Sequence, residues 1–192
     1  MFAYCGNNPV ARIDSSGEFF FTLMGAITGF IGSVAVTAAN NLFSGKNDDL
    51  ITAGTQGAFG GAISGAGVDT ALLLIGSFGT ALPVLSLAVG VTFIAGGIGN
   101  SYTTYLASNG TASDYDMGIS FLVGGIANLF SLHYSTNCIA SSVDDLFTKG
   151  NMTFSNNLKS GVAIATGTGI ATAIGIGIDS KPTNNKYCVA LR

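Results

Sequence analysis

From Thr70 to Ser113 the chain carries no Asp, Glu, Lys or Arg. An uncharged run of that length has to be kept from water, either by a protein core or by lipid. Gly57, Gly61 and Gly65 lead into it at four-residue steps, a spacing that sets them on one face of a helix. Residues 19–45, 117–143 and 160–178 are likewise free of those four charged types. Each is long enough for a helix that spans or inserts into a bilayer.

Charged residues make up 9% of the chain, against about 25% in an ordinary soluble domain. Hydrophobic residues, at 48%, are not in excess; the missing charge is replaced by 28 glycines together with Ser, Thr and Asn. The net charge is −3 and the seven basic residues are scattered. Phosphate binding needs them clustered, so nucleic acid is not an expected partner. Cys5, Cys138 and Cys188 form no C-x-x-C pair, which leaves no readable zinc ribbon or thiol redox site. Met1–Tyr4 lacks the basic region of a cleavable signal.

Local signals divide the chain into an all-α domain of five or six glycine-rich helices after a short extended or strand-like N-terminal segment. Ser15-x-x-Glu18 has the form of a capping box, and Gly45 suits the stop of the helix that follows. Asp48-Asp49 suit the start of a second helix, running past Asp69 into Ala71–Ile75. Asp69 itself is expected at a helix end in water; the alternative is a functional acid beside a membrane span. Pro83 predicts a break over 76–83 and a third helix to Ala107, ended by Asn109-Gly110. Ser113-x-x-Asp116 is a second capping-box start, leading into Gly118–Phe130. One short helix is expected over Asn137–Phe147, and a last one from Ser155–Asn157 to Asp179. The polar starts and small-residue faces of Asp49–Gly65, Asp116–Gly125 and the last helix read as a weak internal repeat, too irregular for a solenoid.

Small residues recur every fourth position in three helices: Gly25, Gly29, Ser33 and Thr37; then Gly57, Gly61 and Gly65; then Gly161, Ala165, Gly169, Ala173 and Gly177. Gly167, Ala171 and Gly175 form another ladder beside the last. Each helical Gly costs roughly 0.8–1 kcal/mol relative to Ala, so the five glycines of the last helix cost on the order of 4–5 kcal/mol. A lone helix is too marginal to carry that load. Close backbone contact with a neighbour has to offset it, and small residues at this spacing permit such contact in lipid.

The N-terminal run from Phe2 reads Phe-Ala-Tyr-Cys-Gly-Asn-Asn-Pro-Val-Ala-Arg-Ile-Asp-Ser-Ser-Gly17. It resembles the end of the rearrangement-hotspot (Rhs, or YD-repeat) core, where an aromatic-rich strand runs into NNPV…DPxG. The family's Asp-Pro-x-Gly-Leu is Asp14-Ser15-Ser16-Gly17-Glu18 here. The proline and leucine of the self-processing site are missing, so self-cleavage at this junction is not expected. The resemblance implies that 1–18 is the tail of such a core. Residues 19–192 then stand in the place of the variable C-terminal domain, which in many members is a toxin stored and delivered by the repeat cage. It also implies a bacterial effector, an Rhs core in the same or a parent chain, and a membrane immunity protein as a possible partner.

No catalytic or cofactor signature emerges. His133 is the sole histidine, and no motif surrounds it, Cys138 and Asp144. Metal ligation needs more than one such group at ligand spacing. Asp114-x-Asp116 and Asp144-Asp145 suit helix starts. The Gly167–Gly175 stretch lacks the Gly-Lys-Ser/Thr of a phosphate loop. The expectation is therefore a membrane-associated protein, not an enzyme, that needs no cofactor and has the lipid bilayer as its partner. It would form pores or translocate a passenger, with self-association through the ladders. The alternative is a non-toxic helical linker or plug between an Rhs cage and an absent toxin. A mean hydropathy of only +0.53 keeps a soluble bundle open, and an enzyme with a diffuse site is a third reading.

Overall fold

The computed structural model describes residues 20–140 and 150–179, all in five helices and their links: α1 (Phe20–Ser44), α2 (Leu50–Phe78), α3 (Leu82–Ala107), α4 (Asp114–Ala140) and α5 (Gly150–Asp179). The fold is all-α. The extended N-terminal segment, the Ser15–Glu18 capping box and the Rhs-like residues 1–18 lie outside the described residues.

Short polar signals set the helix ends. Gly45 closes α1 at φ 65° and donates its N–H to Asn41 O at 3.0 Å, a left-handed stop that glycine adopts without a Cβ penalty. Asp49 caps α2, accepting from the N–H groups of Ile51 and Thr52 at 3.0 and 3.3 Å. The first and third helices are tied to the links at one end of the bundle by similar means. Asn41 brackets Asp48, donating to its carbonyl at 2.9 Å and accepting from its N–H at 3.0 Å. Gly110, at φ 77°, donates to Tyr105 O at 2.9 Å past the end of α3. Ser113 and Asp116 then form a reciprocal capping box, Ser113 N–H donating to the carboxylate at 3.4 Å and Asp116 N–H donating to Ser113 Oγ at 3.3 Å. At the opposite end α2 turns into α3 through Gly79 and a Pro83 placed in the first helical turn.

Consecutive helices pack antiparallel, and α5 closes the bundle by lying parallel to α1 and α3. Three details differ from the sequence expectations. No short helix starts at Asn137: residues 131–140 contain neither Gly nor Pro, and α4 runs unbroken to Ala140, while 141–149 lie outside the described residues. The last helix begins at Gly150, before the expected Ser155. Asp69 is not at a helix end in water but inside α2 and 7% exposed.

Candidate membrane-facing surface and helix seams

Asp69 is buried because it serves another helix. Its carboxylate accepts from the N–H groups of Phe21 and Thr22 at 3.0 and 2.7 Å and from the Thr22 hydroxyl at 2.7 Å. The first N–H groups of α1 have no partner within their own helix, and the positive end of the helix dipole favours an anion there. A carboxylate from α2 thus caps α1.

The α1–α2 seam is backbone on backbone. A Cβ on Gly25 would overlap the carbonyl of Gly61, and one on Gly29 would overlap that of Gly57. In return a Cβ on Gly57 would strike Ser33, and one on Gly65 would strike the carbonyl of Phe21. Gly25 and Gly29 therefore interlock with Gly57, Gly61 and Gly65. On α5, Gly161 lies against Thr28 and Met24 of α1, Ala165 supplies the carbonyl that faces Gly32 of α1, and a Cβ on Gly169 would stand 3.4 Å from Val36 of α1. The last two members of that ladder do not join them: Ala173 is exposed, and a Cβ on Gly177 would meet open space. A strict four-residue step gains about 40° per step on a helix of 3.6 residues per turn, so the ladder winds off α1. Gly167 and Gly175 of the neighbouring ladder face Ala127 of α4 and Ala107 of α3.

The sequence reading missed a second seam. Phe93-x-x-Gly96-Gly97-Ile98-x-Asn100 in α3 recurs as Phe121-x-x-Gly124-Gly125-Ile126-x-Asn128 in α4. The two copies pack on each other reciprocally. Asn100 covers Gly124 and Asn128 covers Gly96, while Phe93 covers Gly125 and Phe121 covers Gly97. The two rings meet edge to face, centroids 5.7 Å apart at 75°. An exact match of Phe, Gly-Gly-Ile and Asn was available in the sequence as the signal.

Hydroxyls and amides stitch the interior. Thr104 of α3 bridges Ser120 of α4 at 2.6 Å and donates to Ala171 O of α5 at 2.9 Å. Ser33 of α1 pairs with Thr172 of α5 at 2.7 Å, and Ser131 of α4 with Ser160 of α5 at 2.5 Å. Asn128 reaches two carbonyls, Ser64 O of α2 at 2.9 Å and Thr92 O of α3 at 2.8 Å. Among the described residues, Thr37 Oγ1 and the amide oxygens of Asn100 and Asn128 are buried and meet no hydrogen-bond partner.

The outside is the reverse. Leu23, Phe59, Ile94, Leu122 and Phe130 are all more than half exposed, whereas the largest fully buried side chains after Ile164 and Val68 are Asn100, Asn128 and Thr37. In water this arrangement leaves apolar faces bare on every helix; in lipid those faces are solvated and the small polar interior supplies the attraction. All five helices are long and apolar enough to cross a membrane, with α3 the most hydropathic at 1.9. Five helices long and apolar enough to cross a membrane thus stand in place of the four uncharged runs. The Thr70–Ser113 run is shared between α2 and α3, and Asp69 no longer marks a boundary.

At the end holding the α1–α2 and α3–α4 links, Thr37, Asp48, Asp49, Gln56, Asn109 and Thr172 line a polar cleft of about 180 Å³. Hydrogen bonds from the Thr52 hydroxyl and the Ile51 N–H hold the Asp49 carboxyl below the ordinary value of 3.8. His133 is exposed on α4, its ring 5.6 Å from that of Tyr134. The side chain of Cys138 and all of Asp144 lie outside the described residues. Among the described residues no three His, Cys, Asp or Glu side chains gather as a metal site. The chain matches no protein-family model, no curated protein and no solved structure.

Proposed function

We propose that this chain is a membrane-inserting helical bundle acting as the membrane-active C-terminal tip of an Rhs-like bacterial effector, which permeabilises a bilayer or carries a passenger across it. One observation carries the reading: most large apolar side chains lie outside, while the interior, apart from Phe21, Val68, Asp69, Leu132 and Ile164, is made of Gly, Ala, Ser, Thr and Asn. That inversion suits lipid as the solvent. The NNPV-containing segment of residues 1–17 supports the link to an Rhs core, and through it delivery by a larger secreted chain and restraint by a membrane immunity protein.

In the proposed mechanism the glycine seams part on contact with the bilayer and re-form between helices in lipid, within one copy or between copies. Parting would bring the unpaired oxygens of Thr37, Asn100 and Asn128 to a water-accessible lumen, where hydration satisfies them. The closed seams of the described bundle also favour a second reading, in which the domain is a structural plug or linker and leaks nothing.

The test is carbonate extraction of membranes together with leakage from dye-loaded liposomes. The full chain should stay in the pellet and release dye. Gly61→Leu, which forces a side chain into the Gly25 carbonyl, should stay helical yet lose leakage, while Gly118→Leu, at a site open to space, should leak like the parent. Recovery in the supernatant sinks the bilayer reading. Pelleting without leakage favours the plug, and a leaky Gly61→Leu refutes the seam mechanism.

A further inference from the structure

An apolar groove of about 560 Å³ runs along the outside of the α4–α5 pair. Its walls are Ile126 and Phe130 from α4 with Val162 and Ile170 from α5, and its floor includes Ala127 and Ala163. At one end stand Tyr134 and Lys159, the Lys159 ammonium 5.9 Å from the centre of the Tyr134 ring. Lys159 immediately precedes the uncharged run 160–178, with Tyr134 beside it, and Tyr and Lys at the edge of an apolar run anchor helices at the membrane–water interface. From Leu158 the groove extends along α5 to Ile170, about 18 Å at 1.5 Å per residue. That is close to the hydrocarbon depth of one leaflet, half of about 30 Å.

We infer that this groove is a binding site for a single anionic phospholipid, and the inference rests on the membrane reading above. One acyl chain lies between Phe130, Ile126, Val162 and Ile170, reaching the bilayer middle. The phosphodiester sits on Lys159 at the interface, with Tyr134 beside it. Charge complementarity selects this occupant over an apolar helix of a second copy. Among the described residues Lys159 is the sole basic side chain within a helix, and it stands at the one point where the groove meets the headgroup layer. An apolar helix would gain nothing from an ammonium there, whereas a lipid phosphate gains an ion pair at the membrane surface.

The site is tested by native mass spectrometry of the full chain released from membranes of equal phosphatidylcholine and phosphatidylglycerol, after carbonate extraction of the same sample. The parent should retain one phosphatidylglycerol in preference to phosphatidylcholine. Lys159→Gln, an exposed change that leaves packing intact, should lower that preference about fivefold. Ala163→Trp should fill the groove and remove lipid of both kinds, with an unchanged helical spectrum as the control. A chain that pellets but holds no lipid, holds the two lipids equally, or keeps its preference in Lys159→Gln overturns the lipid site and leaves the membrane reading standing. So does a retained partner that is a second copy of the chain. A chain that fails to pellet removes both.

Discussion

Asn100 and Asn128 are exchanged across the α3–α4 seam, each lying over the glycine four residues before the other. The arrangement lets two helices approach to backbone distance while each amide fills the hollow the opposite glycine leaves. A Cβ on Gly96 would stand 2.5 Å from the Gly124 carbonyl oxygen and collide with Asn128. Backbone cannot move aside as a rotamer can, so Gly96→Ala should fall at the upper end of the about 1–3 kcal/mol typical of overpacking, outweighing its helix-propensity gain. Gly118→Ala meets open space and should stabilise by about 0.5–1 kcal/mol. Reversible unfolding in mixed detergent measures both; equal effects would refute the seam.

Removing the Asp69 carboxylate should loosen the start of α1 while leaving the rest of the bundle in place. Asp69→Ala strands the N–H groups of Phe21 and Thr22, for about 1–3 kcal/mol, and Asp69→Asn, which keeps one acceptor, should cost less. Amide exchange at Phe21 and Thr22 is the readout. Unchanged protection in Asp69→Ala would show that α1 does not depend on this cap.

Ile94 is 52% exposed near the centre of α3. Ile94→Arg should raise the cost of inserting that helix by about 3 kcal/mol and shift the chain from the carbonate pellet toward the supernatant. In a water-soluble bundle the same change would be close to neutral, so the fraction pelleted decides between the two solvents.

Asp49 gives a pH dependence of known sign. Its folded-state value lies below the ordinary 3.8, so its contribution to the α2 cap is present above that value and is lost as pH falls through the lower, folded-state value. Amide protection at Ile51 and Thr52 should drop in that acid window, and Asp49→Asn should flatten the drop. Protection that falls equally in the variant would assign the effect to another group.

The helix ends were legible because their signals are local. Asp49, Gly45, Pro83 and the Ser113–Asp116 pair each act within a few residues of themselves, and the Gly25/Gly29 and Gly57/Gly61/Gly65 ladders predicted a close face that the structure places together. Asp69 was misread because its partners lie in another helix, a relation no spacing rule records. Ala173 and Gly177 do not follow Gly161, Ala165 and Gly169 onto α1, because repeated four-residue steps look straight in the sequence but wind around a real helix. The α3–α4 seam went unseen because its two copies were sought as ladders of small residues, and the repeated units were Phe and Asn set around a glycine pair.

The link at Gly79–Ala81 differs in kind from the links at Gly45–Asp49 and Ser108–Ser113. The second holds Lys46, Asp48 and Asp49, and the third runs directly into Asp114 and Asp116. The first holds no charge, and Phe78 and Leu82 on either side of it are 69% and 81% exposed. Each carboxylate drawn to the middle of a bilayer costs about 2.5–3.5 kcal/mol on the insertion scale, while Phe and Leu are favourable there. Of these three links the α2–α3 tip is the one without charge, so it is the tip that threads a membrane at least expense.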